Sequence, residues 1–184
     1  MKVALWPVLL LTLLAGVSTL NLRAEEGEVD HKVNPAVDTL PDFNLKDPLG
    51  GAHTSAEVAG KKVVILATVP TKEQGDSQKK WVDLIKPLGA GKDFVFILLQ
   101  DMTQSGNPEM VMDSMKQKWK PGGQVLILVD DRAALRSSLE SARGLLTDRT
   151  SLLAYDEKGK QVFFDRHAAS AGAIKKLQEK LGLK

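Results

Sequence analysis

Three runs of consecutive apolar residues, 63–67, 94–99 and 125–129, stand out along the chain. Each run is short and rich in large or β-branched side chains, and none alternates with polar residues. Strands that are buried on both faces, as in parallel sheets, have this continuous pattern. The three runs therefore predict the central strands of a sheet.

The segments between these runs have the periodicity of helices. In 77–88 the apolar residues recur at spacings of three and four, which places them on one face of a helix: Trp81, Leu84, Ile85 and Leu88. Asp76 or Ser77 is the expected N-cap, because short polar side chains accept hydrogen bonds from the first free backbone N–H groups of a helix.

Two further helices are predicted by their start signals. Asn107 followed by Pro108 is typical of a helix N-terminus, and Pro-Gly-Gly at 121–123 ends this helix. Its expected buried face consists of Val111, Met112, Met115 and Trp119. A shorter helix is predicted over 133–139, with Asp130 or Asp131 as its cap.

The last third of the chain has a different pattern. Two apolar segments, 151–155 and 161–164, flank the turn Asp-Glu-Lys-Gly at 156–159 and predict a β-hairpin. A final helix is expected after Ser170, with Ile174, Leu177 and Leu181 on one side. The order β-α-β-α-β-α-β-β-α predicts an α/β fold in which a mixed sheet lies between helices.

The N-terminus has the layout of a secretory signal peptide. Lys2 precedes an apolar run over 3–17, and the small residue Ala24 precedes two glutamates. The apolar run is shorter than the ~20 residues that a membrane-spanning helix needs. We therefore expect 1–24 to be a signal peptide and the mature protein to be periplasmic or secreted, with an uncleaved N-terminal anchor as the alternative.

The rest of the chain divides into two parts. Residues 25–38 are acidic and poor in apolar side chains, which predicts a flexible leader. Residues 39–184 have the length of one domain with its own core. We expect no contact with a membrane beyond the signal peptide.

The charge of the chain argues against nucleic acid as a partner. Cleavage after residue 24 would remove Lys2 and Arg23, so the 25 basic residues would fall to 23 and equal the 23 acidic ones. A neutral chain has no field to attract nucleic acid or anionic lipid. The basic stretch 116–120 is interpreted as a helix C-terminus, where lysines interact favourably with the helix dipole.

The chain contains no cysteine. Peroxide reduction and disulfide exchange both need a thiolate, and a serine hydroxyl forms neither a sulfenic acid nor a disulfide. The side chains of this chain therefore cannot carry out the thiol peroxidase, disulfide reductase or disulfide isomerase reaction.

No other catalytic or metal-binding motif is evident. Ser77 lacks a nucleophile elbow and a nearby histidine, and a Ser-Lys pair with Lys79 or Lys80 is a minor alternative to a capping role. The three histidines do not have ligand spacing: His31 lies in the leader, His53 in a Gly-rich turn and His167 after the last predicted strand. We interpret them as solvated or capping residues and predict no metal and no cofactor. The methionines of the second helix are expected to fill the core.

Three short segments occur in an order found in one protein superfamily. Residues 40–43 read Leu-Pro-Asp-Phe, and 60–62 read Gly-Lys-Lys directly before the first central strand. Residues 156–160 read Asp-Glu-Lys-Gly-Lys and form the predicted hairpin turn. Together with the order of elements, these segments resemble the peroxiredoxin and redoxin branch of the thioredoxin-like superfamily. The resemblance implies a thioredoxin-like three-layer sandwich over 39–184.

The same resemblance implies a site. Peroxiredoxins carry Pro-x-x-x-Thr-x-x-Cys at the start of the helix after the first central strand. In 70–77 this chain keeps the spacing, with Pro70 at the proline, Gln74 in place of the threonine and Ser77 in place of the reactive cysteine. Arg149 resembles the arginine that meets the thiolate. The family's active-site cleft would therefore be present in degenerate form.

The superfamily that this sequence resembles includes cysteine-free periplasmic proteins. The resemblance therefore implies a redox-inactive binding protein. Its expected partner is an unknown envelope protein or a small anionic ligand, with Arg149 binding a carboxylate or phosphate. A salt bridge from Arg149 to Asp148 or Asp76 is the structural alternative. The functional alternatives are an enzyme of non-thiol chemistry at the same cleft, or an accessory protein in an envelope redox complex.

Overall fold

The computed structural model describes residues 38–141 and 150–183. The predicted signal peptide, the leader up to residue 37 and Arg149 lie outside the described residues. No helix among the described residues is both long enough and apolar enough to cross a membrane.

A seven-stranded mixed sheet forms the centre of the protein. Its strands are β1 (Asn44–Lys46), β2 (Ala52–Thr54), β3 (Val63–Thr68), β4 (Val95–Asp101), β5 (Leu126–Asp130), β6 (Ser151–Tyr155) and β7 (Gln161–Asp165). Their spatial order is β2-β1-β5-β4-β3-β6-β7. β3 pairs in parallel with β4, and β4 with β5, whereas the flanking pairs are antiparallel. The three predicted central strands thus lie side by side, and β3 is buried along its whole length.

Helices cover both faces of this sheet. They are α1 (Lys72–Ile85), α2 (Pro108–Lys118), α3 (Ala134–Ser141) and α4 (Ala171–Leu181), with two short 3₁₀ turns, Ser55–Val58 and Lys86–Leu88. One core packs side chains of α1 and α4 against the sheet, among them Trp81 and Leu177. A second core on the opposite face includes Leu135 and Leu139 of α3. The result is three layers, which is the predicted α/β sandwich with its C-terminal hairpin and helix.

Two of the predicted helix caps are confirmed. The Asn107 side chain accepts a hydrogen bond from the Met110 backbone N–H (3.1 Å), and Pro108 occupies the first turn of α2. The Ser170 hydroxyl accepts from the Ala173 N–H at the start of α4 (3.1 Å). In both helices the side-chain oxygen satisfies a backbone donor that has no partner within the helix.

The predicted cap of α1 is wrong. The helix begins five residues earlier than expected, and its N-cap is Thr71, whose hydroxyl accepts from the Gln74 N–H (3.3 Å). Asp76 and Ser77 therefore lie inside the helix. The early start places Gly75 inside the helix, where glycine costs about 1 kcal/mol relative to alanine.

Two predicted buried faces are more exposed than expected. Leu84 is 37% exposed, whereas Trp81 and Ile85 are fully buried. At 100° per residue, Leu84 lies about 60° from Trp81 on the side away from Ile85, at the margin of the buried face. In α2, the predicted face is only half-buried at Val111, Met112 and Met115, and is buried at Trp119.

The sequence pattern did not predict the hairpin β1–β2. Each of its strands has three residues, too few to establish an alternation. The Asp47 side chain stabilises the connection, because its Oδ1 accepts hydrogen bonds from the backbone N–H groups of Leu49 (2.7 Å) and Gly51 (3.0 Å). The hairpin extends the sheet by pairing Lys46 of β1 with Val129 of β5.

Asp130, not Asp131, stabilises the start of α3. Its two carboxylate oxygens accept from the backbone N–H groups of Ala134 (2.9 Å) and Arg136 (3.0 Å). Ala133, directly before the helix, has a left-handed backbone (φ 52°) and no side-chain acceptor of its own. The carboxylate therefore reaches over from the end of β5 to bind helix N–H groups that the adjacent residue cannot satisfy.

Candidate functional site

Polar side chains gather where β3, β4 and β5 end and β6 begins, an edge that we name the polar edge. It consists of Thr68, Gln100, Asp101, Asp130, Thr150 and Ser151. All six residues are buried, with between 0% and 5% of their surface exposed. In open sheets with parallel strands, ligands bind outside the carboxyl ends of the strands. The polar edge lies at this end of the three parallel strands.

On the α1 face of the sheet, one glutamine links two strands. The Gln78 Oε1 atom of α1 accepts from the Thr68 hydroxyl (3.1 Å) and from the Gln100 Nε2 (3.0 Å). Thr68 and Gln100 continue the side-chain rows that hold Leu66 and Leu98 in the core below. Each row is therefore apolar at Leu66 or Leu98 and ends in a polar side chain, the Thr68 hydroxyl in β3 and the Gln100 amide in β4.

Gln74 stabilises the loop that enters α1. Its Oε1 accepts from the backbone N–H of Val69 (2.8 Å), and the residue is buried. The same residue donates its own N–H to the Thr71 cap. Gln74 therefore holds the turn after β3 in place, a structural role that the spacing of the sequence did not indicate.

Thr150 has a buried hydroxyl that lacks a hydrogen-bond partner among the described residues. Ser151 lies opposite Ala67, so the antiparallel register brings Thr150 beside Thr68. A buried hydroxyl without a partner costs about 1–3 kcal/mol. A ligand that accepts this hydrogen bond would recover that free energy.

On the α3 face, the polar edge is charged. Arg136 of α3 is fully buried, and its Nε lies 3.9 Å from Oδ2 of Asp101, which is 1% exposed. Asp101 Oδ1 accepts from the Thr103 N–H (2.9 Å) and hydroxyl (2.6 Å). Asp101 lies opposite Asp130 in the parallel register. A buried guanidinium thus lies close to the ends of two strands.

Three of the four predicted site residues lie in the loop after β3 and the first two turns of α1. Pro70 is half-buried in the loop after β3, Gln74 is buried in the first turn of α1, and Ser77 is half-buried one turn further. Arg149 lies outside the described residues, directly before Thr150 in sequence. The contact of Arg149 with this segment therefore stays a prediction.

Ser77 lies beyond the N-terminal turn of α1. The free N–H groups of a helix belong to its first four residues, and here the Gly75 N–H already bonds to the Thr71 carbonyl (2.8 Å). The field of the helix dipole falls off within the first turn. A side chain at position 77 therefore receives little of the electrostatic stabilisation that a thiolate would need.

We expect the thiol of a Ser77→Cys variant to keep a pKa near or above ~8.5, the ordinary value, because of that position. A Lys72→Cys variant at the first helical position should instead show a pKa of about 7.5 or lower. The rate of alkylation by iodoacetamide as a function of pH measures both values. Hydroperoxide consumption by the Ser77→Cys variant, with a low thiol pKa, would contradict this placement.

Sequence reasoning missed most of the polar edge, although a signal was present. Thr68, Gln100 and Asp130 each come directly after one of the three apolar runs. Because the ends of parallel strands lie at one edge of the sheet, the first polar residue after each run belongs to the same neighbourhood. The order of the strands was the missing information.

Two of the three histidines, His53 and His167, lie within the described residues. No group of three or more His, Cys, Asp or Glu side chains within residues 38–141 and 150–183 is arranged to hold a metal ion. His167 contacts Asp165 through Nδ1 (3.0 Å) on the surface. His53, expected in a turn, lies in β2 between two carboxylates.

Comparison with known proteins identifies the fold. No family model and no curated protein matches the chain. The pneumococcal exposed lipoprotein thioredoxin of Streptococcus pneumoniae is similar in structure, with a TM-score of 0.57 and 19% identity over 77% of this chain and 100% of its own. A protein of Aquifex aeolicus, provisionally described as an electron transfer protein, has a TM-score of 0.62 and 15% identity, over 79% and 98% of the two chains.

BsSco, a member of the Sco family of cytochrome c oxidase assembly proteins, is also similar. Its TM-score is 0.60 at 10% identity, and the match covers 82% of this chain and 96% of BsSco. At these identities the likeness establishes the fold alone. The chain thus has a thioredoxin-like α/β fold with an open mixed sheet.

Proposed function

We propose that this protein is a redox-inactive member of the thioredoxin-like superfamily that binds a partner protein or a small anionic ligand in the cell envelope. The observation that carries the proposal is the polar edge in a chain without cysteine. One structural neighbour is described as a thioredoxin, and a disulfide switch is described in another, BsSco. This chain has retained that fold without a thiol.

The composition of the polar edge supports a binding role. Its α1 side offers two neutral side chains, Thr68 and Gln100, which are held in place by hydrogen bonds to Gln78 of α1. Groups that are already oriented lose little conformational entropy when a ligand binds. The Thr150 hydroxyl adds a donor that the described residues leave unused.

An anion is the ligand class that we propose for this edge. The Thr150 hydroxyl and the second N–H of the Gln100 amide are donors that suit carboxylate and phosphate oxygens. Arg149 precedes Thr150 directly in sequence. Arginine binds both kinds of anion with two parallel hydrogen bonds. Arg149 and Thr150 together would supply a charge and a buried donor.

We also propose that the chain descends from the peroxiredoxin and redoxin branch and is exported. The spacing of Pro70, Gln74 and Ser77 supports the branch, and the signal-peptide pattern of 1–24 supports export. The neighbouring pneumococcal thioredoxin is described as an exposed lipoprotein. This chain lacks the cysteine that would carry a lipid.

Thermal unfolding in the presence of acetate, succinate, phosphate and sulfate tests the binding function. A ligand that binds the folded state at 100 times its Kd stabilises it by about 2.7 kcal/mol, so at least one of these anions should raise the Tm. Arg149→Ala should weaken the binding of that anion about tenfold or more, because a hydrogen bond to a charged group contributes about 1.5–3 kcal/mol. Thr150→Val should weaken it less.

Ser77→Ala is the matched control, because Ser77 belongs to the same segment but lies in the second turn of α1. Binding should be unchanged in this variant. If the Arg149→Ala and Thr150→Val variants bind as well as the wild type, the proposed site is wrong. If instead Ser77→Ala abolishes an enzymatic activity of the protein, the alternative of non-thiol catalysis is the correct one.

A further inference from the structure

His53 lies between two carboxylates from different elements. Its Nε2 is 3.2 Å from Oδ2 of Asp47, which follows β1, and its Nδ1 is 3.0 Å from Oε2 of Glu57 in the 3₁₀ turn 55–58. The side chain of Asp47 is 8% exposed, that of His53 24% and that of Glu57 50%. We name these three residues the His53 cluster.

Each carboxylate is itself held by the backbone. Asp47 uses its other oxygen, Oδ1, for the N–H groups of Leu49 and Gly51 in the turn between β1 and β2. Glu57 uses Oε1 for the N–H of Thr54 (3.0 Å), the residue that caps the 3₁₀ turn. The oxygens that face the ring therefore cannot rotate away without breaking backbone hydrogen bonds.

Both contacts of the ring are favourable only when the imidazole carries two protons. A neutral imidazole has one N–H donor and one lone pair, whereas a carboxylate only accepts. In the neutral ring one nitrogen lone pair would face a carboxylate oxygen. Loss of the proton must therefore break one of the two contacts.

The electrostatic surroundings agree with a charged ring. Burial lowers the pKa of His53, but the hydrogen bonds and charges of Glu57 and Asp47 outweigh it and raise the pKa above its ordinary value. The hydrogen bond from His53 lowers the pKa of Glu57, with the Lys61 charge as a minor contribution. Burial raises the pKa of Asp47, yet its hydrogen bonds from His53, Gly51 and Leu49 lower it overall.

We propose that the His53 cluster is a pH-sensitive contact, in which protonated His53 joins the β1–β2 hairpin to the 3₁₀ turn 55–58 and neutral His53 releases Glu57. The Glu57 contact is the one that opens, because Glu57 is half-exposed and can turn to water. Asp47 is almost fully buried and keeps the remaining proton on Nε2. The inference is independent of the proposed binding function.

The direction of the effect follows from the three pKa values. A histidine whose pKa is raised on folding stabilises the folded state fully below about pH 6.5, and this stabilisation is lost as the pH rises through the raised value. Carboxylates with lowered pKa values stabilise the folded state above about pH 4.5 and lose this effect as the pH falls through their folded values. The contact is therefore strongest between about pH 4.5 and the pKa of His53.

The Thr54 amide reports the position of Glu57, because it donates to Oε1. Its protection against hydrogen exchange with water, measured by NMR and corrected for the intrinsic effect of pH, should fall about fivefold as His53 loses its proton, the effect of one hydrogen bond of average strength. The fall should coincide with the titration of the His53 ring signals. The Lys158 amide, which donates to Asp156 far from any histidine in sequence, is the internal control and should not change.

A Glu57→Gln variant should reverse the dependence. Its Oε1 can still accept from Thr54 while its NH₂ group donates to the lone pair of neutral His53, so protection of the Thr54 amide should increase as the ring is deprotonated. A His53→Gln variant should show no dependence on pH. The proposal is wrong if protection in the wild type stays constant through the titration of His53, or if Glu57→Gln responds in the same direction as the wild type.

Discussion

Replacing Arg136 with methionine should destabilise the protein by about 3–5 kcal/mol, the usual cost of removing one partner from a buried ion pair. Arg136 is fully buried, and its Nε lies 3.9 Å from Oδ2 of Asp101. Asp130 lies beside Asp101 and is also fully buried. Methionine fills most of the arginine's volume, so the loss reflects charge more than packing. Urea unfolding of the variant and the wild type measures the difference.

Arg132→Met is the matched control, because Arg132 precedes the same helix but is exposed. Its free energy of unfolding should change by less than about 0.5 kcal/mol. The double variant Asp101→Asn with Arg136→Met should recover part of the loss, since asparagine keeps the acceptor for Thr103 and removes the uncompensated charge. Equal stability of the Arg136→Met variant and the wild type would show that this guanidinium does not compensate the buried acids.

Trp81→Ala should lower the free energy of unfolding by about 3–5 kcal/mol, the range for removing a large aromatic side chain from a core. Trp81 is fully buried in α1 and packs in the core between that helix, the sheet and α4. Its indole N–H has no hydrogen-bond partner among the described residues. Replacing Trp81 with phenylalanine also removes this unsatisfied donor. The free energy of unfolding of the Trp81→Phe variant should therefore fall by less than half as much.

The control for this prediction is Leu84, which sequence periodicity placed on the same buried face. Since Leu84 is 37% exposed, Leu84→Ala should cost less than about 1.5 kcal/mol. Calorimetric or urea unfolding compares the three variants. A similar loss for Leu84→Ala and Trp81→Ala would mean that α1 is rotated relative to the orientation described above.

Local sequence patterns predicted the elements whose causes are local. The continuous apolar runs became β3, β4 and β5, because strands that are buried on both faces of a sheet have this composition. Asn107 and Ser170 cap their helices through side chains that act within three residues. The start of α1 was predicted wrongly because several polar residues in this segment could act as its cap. The tight loop after β3 places Thr71 at the N-cap, with its N–H bonded to the Val69 carbonyl (2.8 Å).

The candidate site depended on contacts between residues distant in sequence. Gln78 and Gln100 meet because β4 lies beside β3 and α1 packs across both, which no spacing along the chain reveals. His53 was interpreted as a solvated or capping residue of a turn. Its partners Asp47 and Glu57 lie six and four residues away, and the β1–β2 hairpin that brings them together with the ring is too short to be recognised from the sequence.

The sequence by itself determined that no thiol chemistry occurs on this chain, because composition sets which functional groups exist, and that its apolar runs must be buried in a layered α/β fold. Only the tertiary structure decided which polar residues share an edge, which helix face is buried, and which of two adjacent aspartates binds the N–H groups of α3. These outcomes depend on strand order and on the packing of helices, and both arise from interactions between segments that the linear pattern describes only one at a time.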